Sequence, residues 1–121
     1  MSLEKLQEAV RNFVQERDWE RYHSPKNLAM GLSVESNELL EIFIWLTEEQ
    51  SKRLPIDQMA HLRDEIGDVM IHLVNLCNQF HLDPLQCALE KLEKVKVKYP
   101  VERVKGKSKK YDEYSAPDLL E

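Results

Sequence analysis

Apolar side chains recur every three or four residues along most of the chain, the period of amphipathic helices. Leu3, Leu6, Val10, Phe13 and Val14, with the stem of Arg17, define the inner face of a first helix over about Leu3 to Glu20. Ser2 with Lys5 is not a capping box, so a soft start is expected. The stretch from Arg17 to Asn27 turns the chain. Ser24 before Pro25 supplies an N-cap and a proline at the first helical position, opening a second helix that the pattern carries to about Glu48. The polar run from Glu49 to Pro55 reads as a loop, and Asp57 can cap a third helix running to roughly Phe80. Asp83-Pro84 repeats the cap-plus-proline signal for a fourth helix to about Lys98, ended by Tyr99-Pro100. From Val101 the periodicity is lost, which predicts an extended arm that frays beyond Tyr114. The expectation is all-α: a four-helix bundle with a C-terminal arm, one domain over residues 1–114 and a disordered tail over 115–121.

Two of these helices carry charge where their apolar stripes should be clean. Leu28, Leu32, Leu39, Ile42 and Leu46 share a stripe with Glu35 and Glu38 at its edge. Leu62, Val69, Leu73 and Leu76 do the same with Glu65 and Asp68. The files Glu35-Glu38-Ile42-Trp45 and Glu65-Asp68-His72-Asn75 have identical spacing, which suits an antiparallel pairing of the second and third helices. An unpaired carboxylate in apolar surroundings costs several kcal/mol, so four of them on facing stripes call for cations. Oxygen-only ligation selects hard ions, Mg²⁺ or Mn²⁺, rather than zinc. A single E-x-x-E on a helix is commonplace and usually solvated; two such pairs on apolar stripes are less easily dismissed.

Composition supports this picture. Three Gly and five Pro in 121 residues favour helices. Cys77 and Cys87 have no metal-type spacing and read as reduced intracellular thiols. No secretion signal or membrane span is expected, which implies a cytoplasmic protein. The net charge is −5, yet residues 91–110 hold nine basic and two acidic side chains, a cationic segment able to accept phosphates. Duplex nucleic acid is not expected as a partner, since so acidic a remainder would repel it.

Four segments together resemble a known family: ERDWERYHSPKN (residues 16–27), VESNELLEIFIW (34–45), RDEIGDVMIHL (63–73), and KYPV with the later SKKY. They resemble the MazG-like all-α nucleotide pyrophosphohydrolases, nearest the dCTP pyrophosphatase branch, over residues 3 to about 114. The resemblance implies Mg²⁺-dependent hydrolysis of a (deoxy)nucleoside triphosphate to the monophosphate and pyrophosphate, with Glu35, Glu38, Glu65 and Asp68 as catalytic metal ligands. It implies base-enclosing roles for Trp19 and Trp45 and substrate contacts from His23, Lys26 and Asn27. His72 stands where close relatives often carry Tyr, and its ring is expected to contact the sugar or base. Lys91, Lys94 and Lys98 match a basic helix face suited to phosphates. Val95 replaces an Asn common in relatives, which removes one expected polar contact. Lys107, Lys109, Lys110 and Tyr111 match an arm expected to fold over the triphosphate.

Phe43, Ile44, Met70, Ile71, Cys77 and Phe80 leave the second and third helices apolar on more than one side, so completion by other subunits is expected. The family implies a homotetramer, a dimer of dimers, with active sites near subunit boundaries. The leading expectation is nucleotide-pool sanitation acting on dCTP or a modified cytidine nucleotide. The alternatives are the same fold acting on phosphoribosyl-ATP or dUTP, and a non-catalytic helical interaction module.

Overall fold

The computed structural model describes residues 1–108. Among them no strand occurs; four helices of 14 to 24 residues are joined by short turns. The chain divides into two compact units, Met1–Pro84 and Leu85–Glu121.

In the first unit, α1 (Leu3–Glu16) and α2 (Pro25–Glu41) both pack on the long α4 (Ile56–Gln79). Val74 of α4 is completely buried and joins Val10 and Val14 of α1, with Leu3 and Leu6 packed alongside. Each such side chain removed from water contributes about 1.5–3 kcal/mol. Leu28 and Ile42 are the buried apolar anchors of α2 and the turn after it. A polar clamp fixes the register of α1 on α4. Asn78 Oδ1 accepts from Gln7 Nε2 at 3.3 Å and Arg11 Nη1 at 3.1 Å, while Asn78 Nδ2 donates to the Gln7 carbonyl at 3.1 Å.

Several boundaries differ from those expected. The Ser2 hydroxyl does cap α1, accepting from the Lys5 N–H at 3.2 Å. α1 then ends at Glu16 rather than Glu20, because Asp18 adopts φ 54° and reverses the chain. The Asp18 N–H bonds to the Gln15 carbonyl and the Trp19 N–H to the Val14 carbonyl, both at 3.1 Å, a Schellman motif without its usual glycine. A 3₁₀ turn, Glu20–Tyr22, follows. Ser24 and Pro25 open α2 as expected, the hydroxyl accepting from the Asn27 N–H at 3.2 Å.

α2 stops at Glu41, not near Glu48. Past Glu41 the Ile42 and Phe43 N–H groups bond to the i−3 carbonyls, Phe43 to Leu40 O at 2.9 Å, while Ile44 N–H shares Leu40 O at 2.9 Å. β-branched and aromatic residues lose rotamer freedom in a helix, and this run gives it little support. The supposed loop contains α3 (Glu48–Ser51), started by a capping box: Thr47 Oγ1 accepts from Gln50 N–H at 3.1 Å and Gln50 Oε1 from Thr47 N–H at 2.9 Å. Pro55, not Asp57, occupies the N-cap position of α4, and Asp57 sits in its first turn. α4 closes on a second glycine-free Schellman motif, with His81 at φ 55° and Leu82 N–H bonded to the Cys77 carbonyl at 3.0 Å.

The fourth long helix, α5 (Pro84–Lys98), spans the expected range. Beyond it the expected extended arm begins with one helical turn, α6 (Val101–Val104). Cys77 is buried, Cys87 is exposed, and both are thiols. No helix among the described residues is long and apolar enough to cross a membrane.

Candidate active site

The pairing of α2 with α4 brings together three of the four carboxylates expected on facing stripes, and Asp68 lies outside that trio. Glu35, Glu38 and Glu65 each offer an oxygen within 4.8 Å of the others. Glu65 is buried, and Glu35 and Glu38 are half-buried. His61, one turn before Glu65 on α4, meets Glu65 Oε1 at 3.3 Å. The second oxygens of Glu35 and Glu65 are sealed from solvent without a hydrogen-bond partner. Burial raises the Glu35 carboxyl above its ordinary range, and a hydrogen bond with Glu38 and repulsion from Glu38 and Asp68 push it the same way, while His72 opposes them.

Asp68 lies near enough to act on Glu35 and also lines the adjoining cleft. That cleft, about 490 Å³, opens between α1, the turn before α2, and α4. Its polar edge is formed by Trp19, His23, Asp68, His72 and Asn75, its apolar wall by residues such as Phe13, Val14 and Ile71. Trp19 is delivered by the Schellman turn of α1 and stands edge-on to Phe13, ring centres 5.6 Å apart. His23 stands edge-on to Trp19 at 6.1 Å. Asn75 Nδ2 is 3.1 Å from His23 Nδ1. An amide nitrogen only donates, so His23 Nδ1 accepts and its Nε2 carries the proton when the ring is neutral.

Not every residue expected at the site is gathered there. Trp45 follows the end of α2 and is 89% exposed, outside the cleft. Lys26 is exposed, and Asn27 holds the turn by donating to the Tyr22 carbonyl at 3.1 Å. Lys91, Lys94 and Lys98 are exposed on α5 in the second unit. Lys110 and Tyr111, with Lys109 and the tail over 115–121, lie outside the described residues. Conversely, Asn75 belongs to the site without having been assigned a role. Its position as the last member of the second file was the available signal.

The carboxylate set suits a hard divalent cation. Two buried oxygens without donors, beside a third carboxylate, form a cradle whose charge a bound ion would offset.

The MazG-like family model matches residues 31–114. dCTP pyrophosphatase 1 of Mus musculus is 37% identical over 112 residues, covering 91% of this chain. The Homo sapiens protein of that name is 33% identical over 114 residues. The chain spans about two thirds of the length of these relatives, 66% of the mouse and 67% of the human protein. A crystal structure of a pyrophosphatase from Archaeoglobus fulgidus superposes with a TM-score of 0.76 at 38% identity, covering 80% of this chain and 91% of that one. The chain belongs to the MazG-like family.

Proposed function

We propose that the protein is a nucleoside triphosphate pyrophosphohydrolase that uses Mg²⁺, or Mn²⁺, to convert dCTP or a modified cytidine deoxynucleotide into the monophosphate and pyrophosphate. The observation that carries this is the trio of carboxylates within 4.8 Å, two with donorless buried oxygens, beside an aromatic cleft large enough for a nucleoside. Similarity to dCTP pyrophosphatases supports the substrate class.

Glu35, Glu38, Glu65 and Asp68 would hold the metal. The chemistry a divalent ion held there would supply is neutralisation of phosphate charge and a lowered pKa for a nearby water. The remaining work falls to the chain's own groups. A carboxylate of the set that stays ionised orients the attacking water and takes its proton. Trp19 offers a face for the base, and stacking of this kind contributes about 1–3 kcal/mol per base. His23 Nε2–H is a donor suited to the ring nitrogen or carbonyl of cytosine, and Asn75 Oδ1 is an acceptor for its exocyclic amine. Lys26, Asn27, Lys91, Lys94, Lys98, Lys110 and Tyr111 remain phosphate or base contacts in this reading.

Exposed apolar side chains, among them Ile44, Trp45 and Ile56 at 50%, 89% and 92%, support burial against further copies, for which we propose a dimer of dimers. Trp45 would reach the base in that assembly. The proposed setting is the cytoplasm, where such an enzyme would remove unwanted nucleotides.

The test is a panel of dCTP, 5-methyl-dCTP, dUTP, dTTP, dATP and phosphoribosyl-ATP with pyrophosphate and monophosphate measured together. Preference for the cytidine nucleotides supports the reading. Preference for dUTP or phosphoribosyl-ATP transfers it to the other substrates of the fold, and no hydrolysis of any of them removes it.

A further inference from the structure

The three gathered carboxylates are not held alike. Glu35 and Glu38, both on α2, are hydrogen-bonded to each other. Glu65, alone of the three on α4 and the most buried of them, has His61 one helical turn before it, with Nε2 at 3.3 Å from Glu65 Oε1. The other oxygen, Oε2, is sealed from solvent and meets no donor. The pair thus runs from water to the interior: the side chain of His61 is 51% exposed, that of Glu65 9%.

An i, i+4 pair on an exposed helix face adds little to stability. Here the acceptor is buried, and a carboxylate out of water needs a donor. A carboxylate oxygen only accepts, so Nε2 is the nitrogen that carries the proton in this contact. The last torsion of a glutamate side chain is broad and roughly twofold by itself, so neighbouring groups decide how the carboxylate is turned. Tying Oε1 to the imidazole leaves Oε2 in the sealed interior, beside the carboxylates of Glu35 and Glu38. The ring is not itself a member of the cradle: the groups whose oxygens come within 4.8 Å of one another are the three glutamates, and His61 turns its protonated nitrogen to Oε1.

We propose that His61 is a positioning residue for the divalent ion: by donating Nε2–H to Glu65 Oε1 it holds Glu65 Oε2 ready as a ligand, without binding the ion itself. Carboxylates that bind metals are held by outer hydrogen bonds of this kind, and removing such a partner weakens binding by about 10- to 100-fold. The inference rests on the reading of the carboxylate set as a site for Mg²⁺ or Mn²⁺.

The test is calorimetric titration of Mg²⁺, without nucleotide, into the whole chain as wild type, His61→Gln, His61→Leu and His61→Ala, together with pulsed EPR of Mn²⁺ bound to the wild type. Glutamine can bring an amide N–H close to where the imidazole Nε2 stands, whereas leucine and alanine cannot donate. The Mg²⁺ Kd should rise about 10- to 100-fold in His61→Leu and in His61→Ala, the second serving if the first does not fold. It should stay close to the wild-type value in His61→Gln, and the Mn²⁺ signal should show no directly bound nitrogen. A merely structural role would lower the melt in EDTA and leave Kd unchanged. That result, a His61→Gln as weak as His61→Leu, or a nitrogen bound to Mn²⁺ overturns the inference while the enzyme reading stands. A wild type that binds neither ion overturns the metal reading and this inference with it.

Discussion

Glu35 on α2 and Glu65 on α4 each bury one carboxylate oxygen that meets no donor, and the two side chains offer oxygens within 4.8 Å of each other. Such an arrangement costs folding energy in the metal-free protein. The raised Glu35 carboxyl gives the sign of its pH dependence. The folded state takes up a proton more readily than the unfolded one. The stability this contributes is present below the ordinary carboxylate range and is lost as pH climbs through the raised value. Glu35→Gln should therefore melt higher than the wild type at neutral pH in EDTA, with the advantage vanishing in acid. Magnesium should raise the wild-type melt and leave the variant's nearly unmoved. A variant that melts lower in EDTA would contradict this.

Trp19 depends on the left-handed turn at Asp18. A β-branched residue in that conformation costs about 1–2 kcal/mol. Asp18→Val should lose about that much stability and disturb the Trp19–Phe13 contact. In a Trp45→Phe background, which removes the exposed indole, the change should appear as a red shift of tryptophan emission. Unchanged emission with unchanged stability would show that the turn does not hold the ring.

The junction of α1 with α4 rests on Val74, which is completely buried against Val10 and Val14. Val74→Ala leaves a cavity in a small core and should cost about 1–3 kcal/mol by urea unfolding. Ala60, exposed on the same helix, carries no such contact, and Ala60→Ser should fall within about 0.5 kcal/mol of the wild type.

Period and caps made the long helices legible. Ser24-Pro25 and Asp83-Pro84 marked the starts of α2 and α5, and the matching files on α2 and α4 pointed to four carboxylates of which Glu35, Glu38 and Glu65 lie together. What escaped was local reversal. Asp18 and His81 adopt positive φ without a glycine to announce it, so α1 read four residues too long. The Thr47-to-Gln50 capping box was visible in the sequence, but the apolar run before it suggested an uninterrupted helix. The cleft was the least legible feature. Its polar edge joins residues from the turn at Trp19 and His23 to Asn75, more than fifty positions apart, and only packing of α1 on α4 brings them together.

The most direct measurement is pyrophosphate release from dCTP as a function of magnesium, in the wild type and in Glu38→Gln with its fold verified by circular dichroism. The expected result is equimolar dCMP and pyrophosphate, absent in EDTA and restored by magnesium, with a loss of about a hundredfold or more in the variant. Hydrolysis that proceeds without divalent metal, or a folded Glu38→Gln as active as the wild type, would contradict it.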